Sequence, residues 1–100
     1  MNLDLALKAL DNPHRRTVMS AMRDPGAHFT PADGIDPVAD GVCVLQISAM
    51  LGVNQSTAST YMSMLRDAGL VRAVRVGKYT LYKRDDEAVA AVASAILHEL

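Results

Sequence analysis

Three residues, Gly52-Val53-Asn54, separate two segments with helical periodicity, and this short spacing constrains the fold more than any other feature. The segment 44–51 can form a short helix. Its apolar residues available for burial are Leu45, Ile47 and Leu51. Gly52 suits the left-handed residue that ends a helix, and Asn54 suits the N-cap of the next one. The sequence therefore predicts a second helix at about 55–68, directly after a tight turn.

The predicted helix at 55–68 has one apolar face and one face of short polar side chains. The inward face carries Ala58, Met62, Leu65 and Ala68, and Gly69 marks its end. The opposite face carries Gln55, Ser56, Thr57, Ser59, Thr60 and Ser63. A helix in the major groove needs such a face, because short side chains let its backbone approach the base edges. Any one of these hydroxyls is equally typical of a solvated surface, but the set favours DNA contact.

The segment at about 71–84 predicts a two-stranded hairpin, or wing, with β-branched and aromatic residues on both sides of Gly77. The net charge of the chain is −1, yet cations are concentrated near this segment. They are Arg66, Arg72, Arg75, Lys78, Lys83 and Arg84, against the single acid Asp67, so six minus one gives +5. Such a basic stretch is typical of phosphate binding, although edge-strand cations also prevent aggregation. Beside the polar helix, phosphate contact is the favoured interpretation, with Arg75 and Lys78 at the tip.

The remaining segments complete a mainly α-helical domain. One hundred residues suit a single domain, and helices are predicted at about 3–11, 13–23 and 86–99. The stretch 27–41 has prolines, glycines and aspartates without periodicity, which predicts a long acidic loop. The order of the elements is that of a winged helix-turn-helix. The terminal helices each have an apolar stripe, and we expect these stripes to join two copies through Leu3, Leu7, Leu10, Val89, Val92 and Ile96.

Several classes of protein are disfavoured by what the sequence lacks. No apolar run approaches the roughly 20 residues of a membrane span, and the first residues do not resemble a secretory signal, so we expect a cytoplasmic protein. Cys43 is the only cysteine and cannot form an internal disulfide. We find no nucleophile with a base and no phosphate loop, so no enzyme and no cofactor are predicted.

Four stretches, in order along the chain, resemble the ArsR (ArsR/SmtB) family of bacterial regulators. They are 9–16 (ALDNPHRR), 41–48 (GVCVLQIS), 51–59 (LGVNQSTAS) and 65–71 (LRDAGLV). The resemblance covers about residues 8 to 84. It implies a homodimer joined by the first and last helices, Gln55, Ser56, Thr57, Ser59 and Thr60 in the recognition helix, and Arg75 to Lys78 in the wing. It also implies repression that a ligand relieves.

The sequence departs from the family at the positions where its metal sensors bind. Those members have a Cys-Val-Cys triplet, but here Cys43 is followed by Val44 and Leu45. The Asp-X-His pair of the zinc sensors is also absent, because Ala88 follows Glu87. No metal site is therefore predicted, and Cys43 is interpreted as a packed apolar residue rather than a ligand or redox sensor. The three histidines, His14, His28 and His98, make no convincing site.

The sequence as a whole predicts a dimeric repressor that binds a palindromic operator in double-stranded DNA. An unidentified small molecule or protein is expected as its effector. Two alternatives stay open: a metal or redox sensor of the same family that uses Cys43, and a winged helix that serves only protein interaction. Half-sites about 10 bp apart are expected if two recognition helices enter successive major grooves.

Overall fold

A computed structural model describes all residues from 1 to 100 and shows six helices and one antiparallel hairpin. The elements are α1 (Leu3–Leu10), α2 (Pro13–Ala21), α3 (Pro25–His28), α4 (Val44–Leu51), α5 (Gln55–Asp67), β1 (Val71–Val76), β2 (Tyr79–Arg84) and α6 (Asp86–Glu99). The five predicted helices and the wing are all present, so the predicted element order is confirmed. The additional element is the four-residue α3.

The α4–α5 unit forms as its turn residues predict. Gly52 ends α4 in the left-handed conformation with φ of 69°, and the Asn54 side chain accepts a hydrogen bond of 2.8 Å from the Thr57 amide. The predicted inward face of α5 is confirmed, because Ala58, Met62 and Leu65 are fully buried and Ala68 is half-buried. In α4, Ile47 is buried, but the expectation for Leu45 is wrong: its position on the outer side of the short helix leaves it 45% exposed.

A buried arginine connects α1 to α2. Asn12 caps α2 through a 3.0 Å bond from the Arg15 amide, and Pro13 occupies its first turn, as predicted. The Arg15 side chain then turns back and donates to the carbonyl oxygens of Ala9 at 2.6 Å and Lys8 at 3.2 Å. These carbonyls lie in the last turn of α1, and that of Lys8 also accepts a 3.2 Å bond from the Asp11 amide. Arg15 therefore acts as a C-terminal cap for α1.

The register of the hairpin assigns its side chains to two faces, since directly opposed residues share a face. The inner face has the pairs Val71 with Arg84, Ala73 with Tyr82, and Arg75 with Thr80. The outer face has the pairs Arg72 with Lys83, Val74 with Leu81, and Val76 with Tyr79. The inner face packs on the core through Val71 and Tyr82, which are 2% and 4% exposed.

The segment 29–41 is more ordered than its composition predicts. Asp33 and Gly34 form a tight turn with positive φ of 51° and 74°, and the Ile35 amide donates to the Ala32 carbonyl at 2.8 Å. The Asp40 carboxylate accepts a 2.8 Å bond from the Asp36 amide, which closes a second turn. The expectation of an irregular loop is therefore wrong in part. Hydrogen bonds between nearby side chains and backbone groups order the segment, although its sequence has no helix or strand periodicity.

This segment returns to the hairpin at Gly41. The next residue, Val42, exchanges backbone hydrogen bonds of 3.0 and 2.8 Å with Tyr82 on the edge of β2. Gly41 has φ of 103°, and a Cβ at this position would lie 2.8 Å from the Tyr82 carbonyl oxygen. Only glycine fits this approach. The segment 33–40 is thereby held over the outer face of the hairpin.

The terminal helices α1 and α6 lie against each other. The Asp85 carboxylate caps α6 by accepting a 3.0 Å bond from the Ala88 amide. No helix of the chain is both long enough and apolar enough to cross a membrane.

Candidate nucleic-acid interface

A groove of about 550 Å³ lies between the start of α5 and the inner face of the hairpin, and we call it the inner groove. Its walls combine the first turns of α5 with the hairpin tip, and its floor is the start of α4. The lining residues are Cys43, Val44, Leu45, Gln55, Ser56, Ser59, Arg75, Lys78, Tyr79, Thr80 and Tyr82. The structure thus brings together the two sets of residues that the sequence assigned to DNA contact.

The polar face of α5 is accessible over its first two turns. Gln55, Ser56, Ser59 and Thr60 are exposed, whereas Thr57 and Ser63 are half-buried. The Thr60 hydroxyl donates a 3.1 Å bond to the Ser56 carbonyl, so its hydrogen is already used within the helix. Its methyl group and oxygen remain available. Gln55, by contrast, has no partner for its side-chain amide and is free to form two bonds with a base edge.

The cations at the hairpin tip carry no local counter-charge. The Arg75 guanidinium donates to the Gly77 carbonyl at 3.0 Å and to the Thr80 hydroxyl at 3.2 Å, which holds the side chain across the turn. The Lys78 ammonium lies 5.4 Å from the centre of the Tyr79 ring. Neither cation forms an ion pair with a carboxylate. Both charges are therefore available to a phosphate.

Three of the four other cations of the basic segment lie close to a carboxylate, unlike Arg75 and Lys78. Arg66 pairs with Asp67 at 3.2 Å, Arg72 lies 4.0 Å from Asp85, and Arg84 pairs with Asp86 at 2.7 Å. The strand alternation also places Arg72 on the outer face, opposite to Arg75. The six cations therefore do not form a single patch, and only Arg75 and Lys78 line the inner groove.

The single cysteine lies at the floor of the inner groove. Cys43 is 3% exposed and precedes α4, where its amide donates a 2.9 Å bond to the Gln46 side chain. The Gln46 amide group in turn donates to the Thr30 carbonyl at 2.8 Å. No three His, Cys, Asp or Glu side chains are grouped so that they could hold a metal ion.

The three histidines belong to three different helices, α2, α3 and α6. His14 stacks on Tyr61 with ring centres 5.9 Å apart, and His28 is exposed at the end of α3. His98 Nδ1 lies 2.8 Å from the Ser94 carbonyl oxygen within α6.

The residues expected to join two copies differ in their accessibility. Leu7 and Ile96 are 41% and 36% exposed, whereas Val92 is 4% exposed and belongs to the core of the single chain. Leu3, Leu10 and Val89 are half-buried against that core. Two residues not predicted from the sequence, Leu5 and Leu97, are 40% and 76% exposed on the same helices.

Sequence reasoning missed Tyr79 and Thr80 as residues of the inner groove. The Tyr79 hydroxyl forms a short hydrogen bond with the Asp33 carboxylate, and Thr80 bonds Arg75. This bond to Asp33 is the main reason that the pKa of Tyr79 is raised above its ordinary value of 10.0. The position of Thr80 opposite Arg75 was available from the hairpin alternation, but the contact with Asp33, 46 residues earlier, had no local signal.

Comparison with known proteins gives one family and a consistent fold. The family model described as bacterial regulatory protein, arsR family, matches residues 42–73. The chain is 46% identical to the uncharacterised HTH-type transcriptional regulator YbzH of Bacillus subtilis, over 93% of each chain.

Two solved structures superpose on most of the molecule. The ArsR family transcriptional regulator RHA00566 gives a TM-score of 0.71 at 16% identity, over 97% of this chain and 84% of that one. The homodimeric winged helix-turn-helix DNA-binding domain Mb0332 of Mycobacterium bovis gives 0.64 at 22% identity, over 94% and 74%. At these identities the likeness shows the fold, and it confirms the predicted winged helix-turn-helix.

Proposed function

Because the chain belongs to the arsR family of bacterial regulatory proteins and is a helix-turn-helix transcriptional regulator, we propose that it binds operator DNA as a homodimer and represses transcription. In this proposal α5 enters the major groove and the hairpin tip contacts the adjacent backbone or minor groove. A regulator of bacterial transcription acts in the cytoplasm and needs no catalytic group.

The inner groove is the observation that carries this proposal. It places the free Gln55 side chain and the Ser56 and Ser59 hydroxyls on one wall, and two unpaired cations, Arg75 and Lys78, on the other. Base edges are recognised by amide and hydroxyl groups, whereas phosphates are bound by cations. One concave surface thus offers both kinds of contact, with the spacing between them fixed by the fold.

The exposed leucines of the terminal helices support the homodimer. Leu5, Leu7, Ile96 and Leu97 lie on α1 and α6, which are neighbours, and burial of such apolar surface favours association. A domain of the same fold from Mycobacterium bovis is homodimeric. A two-fold dimer presents two copies of α5, so the operator should be an imperfect palindrome with half-site centres about one helical turn apart.

Selection of binding sites from random DNA tests the proposal directly. The wild-type chain is expected to yield a palindromic consensus. Replacing Gln55 by Ala is expected to relax base preference at one position of each half-site, at a cost of about 1–3 kcal/mol in discrimination. The matched control is Ser20→Ala at an exposed position of α2, which should return the wild-type consensus.

Two outcomes contradict the proposal. Recovery of no consensus from the wild-type chain contradicts sequence-specific binding, and an unchanged consensus for Gln55→Ala contradicts base contact by this residue. Repression is tested separately, with a reporter gene placed under a promoter that contains the selected site. A rise in reporter output when the protein is expressed would identify an activator instead.

A further inference from the structure

A second groove, of about 670 Å³, lies on the opposite side of the hairpin from the inner groove, and we call it the outer groove. One wall is the whole outer face of the hairpin, and the other is the segment 33–40. Its volume falls within the range of small-molecule sites, about 300–1,000 Å³. The Tyr79 hydroxyl and the Asp33 carboxylate are bonded at one end, so the segment covers the groove as a strap.

The middle of the outer groove is lined by apolar side chains. Val74 and Val76 project from β1 and are 60% and 53% exposed, although they are the kind of residue that strands normally bury. Leu81, opposite Val74, is 4% exposed but does not belong to the main core. Ile35 and Ala39 face these residues from the strap. An apolar group of a bound molecule would cover surface that the chain itself leaves in water.

The charged groups of the outer groove favour an anion. Both carboxylates already have hydrogen-bond donors, since Asp33 accepts from the Tyr79 hydroxyl and Asp40 from the Asp36 amide. The two cations lie at the base of the hairpin, the same end as Asp40, because Gly41 approaches the Lys83 side chain there. Neither cation forms an ion pair with Asp33 or Asp40. Lys83 forms no ion pair, and Arg72 has only a 4.0 Å contact with Asp85 and is 70% exposed. Lys83 and Arg72, which are directly opposed across the two strands, are therefore the charged groups without a close ionic partner.

We propose that the outer groove binds a small organic anion with an apolar body, and that this molecule is an effector of the DNA-binding surface. The carboxylate lies against Lys83 and Arg72, and the apolar body covers Val74 and Val76. Tyr79 lines both grooves, next to Arg75 and Lys78 on the inner side and bonded to the strap on the outer side. A molecule bound in the outer groove therefore changes the position of the hairpin tip. The effector role rests on the proposed function, whereas the binding site itself does not.

Three probes with the same apolar body and different charge test the site without DNA: phenylacetate, phenylacetamide and phenethylamine. Methyl NMR spectra of the wild-type chain are expected to show shifts at Val74, Val76 and Leu81 with phenylacetate and weaker or no shifts with the other two. Lys83→Gln should weaken phenylacetate binding about tenfold, since one charge-assisted contact is lost. Lys8→Gln, an exposed lysine on α1, is the matched control and should bind like the wild type.

The result that overturns the site is an absence of shifts with all three probes, or shifts of equal size, which would show apolar adsorption alone. Preference for phenethylamine would also overturn it, because the carboxylates would then be the binding groups. Coupling is measured by titrating the selected operator with and without saturating phenylacetate, where a change of about fivefold or more is expected. Probe binding with unchanged operator affinity overturns the coupling alone. Failure to bind any operator contradicts the proposed function and leaves the probe result to stand or fall separately.

Discussion

The two faces of the β1–β2 hairpin share one backbone and differ in almost everything around them. The inner face is packed on the core at its base and opens at its tip into the groove beside α5. The outer face has cations at its base, exposed valines in its middle and a tyrosine at its tip, all beneath the strap. Arg72 and Arg75 are three residues apart and belong to different surfaces. The side of a strand, and not the local density of charge, determines which partner a cation can meet.

The largest expected effect is on operator affinity, and it distinguishes the cations of the inner groove from those of the outer face. Replacing both Arg75 and Lys78 by Ala should weaken operator binding roughly a hundredfold, because two charge-assisted phosphate contacts are lost. The matched variant Arg72→Ala with Lys83→Ala loses the same charge from the same hairpin. It should weaken binding only about threefold, since its charges act through a screened field. Fluorescence anisotropy over a salt series measures both, and the salt dependence should flatten only for the first variant. Equal losses would show that the faces are not distinct in DNA binding.

The next effect concerns the return of the strap to the hairpin. Gly41→Ala should destabilise the chain by about 2–3 kcal/mol, because a Cβ meets the Tyr82 carbonyl oxygen and φ is positive. Gly34→Ala is the matched control, since it also has positive φ but nothing within 4 Å of the added Cβ. It should cost about 1 kcal/mol. Urea denaturation compares the two. Equal costs would mean that the close approach at Gly41 contributes nothing beyond its backbone conformation.

A smaller effect compares two valines on the same strand. Val71→Ala should cost about 2 kcal/mol, because the side chain is 2% exposed and its removal leaves a cavity in the core. Val74→Ala removes the same atoms from a side chain that is 60% exposed, and it should change stability by less than about 0.5 kcal/mol. Urea denaturation again gives both values. A large cost at Val74 would indicate that the outer groove is closed in solution.

The smallest effect is a titration at the tip. The hydrogen bond to Asp33 raises the pKa of Tyr79, so the folded state favours the protonated phenol. This contribution to stability is complete below the unfolded pKa of about 10 and is lost as the pH rises through the higher folded pKa. Asp33→Ala should lower the pKa of Tyr79 toward its ordinary value, as followed by the NMR signal of its ring carbon. Tyr79→Phe assigns that signal. No change in the Tyr79 pKa would show that Asp33 does not bond to Tyr79 in solution.

The helix-turn-helix could be predicted because its signals are local. Gly52, Asn54 and the apolar spacing of α5 each act within a few residues, and the structure places them as expected. Even Asn12 and Pro13 determine the start of α2 by the same kind of short-range bond. Such signals depend on backbone groups that every helix end leaves unsatisfied, so they do not need tertiary context.

The basic segment and the loop show where sequence reasoning fails. Counting charge between Arg66 and Arg84 ignored the alternation of the strands and the acids at the start of α6, of which Asp86 pairs with Arg84 and Asp85 lies 4.0 Å from Arg72. The Asp33-Gly34 pair is a known turn signal and could have been recognised within the loop. Its contact with Tyr79 could not, because it joins residues 46 positions apart and depends on the completed fold.

The position of the Arg15 side chain has a consequence for the spacing of half-sites in the operator. Its guanidinium caps α1 and also lies 5.5 Å from the Tyr61 ring on α5, so it joins the helix proposed to hold the dimer to the helix proposed to enter DNA. Each added base pair moves a half-site by about 3.4 Å and turns it by about 35°. If this contact fixes α5 relative to α1, the two recognition helices of a dimer keep one separation and do not follow that displacement. The regulator would therefore select its sites by the distance between half-sites as well as by their bases.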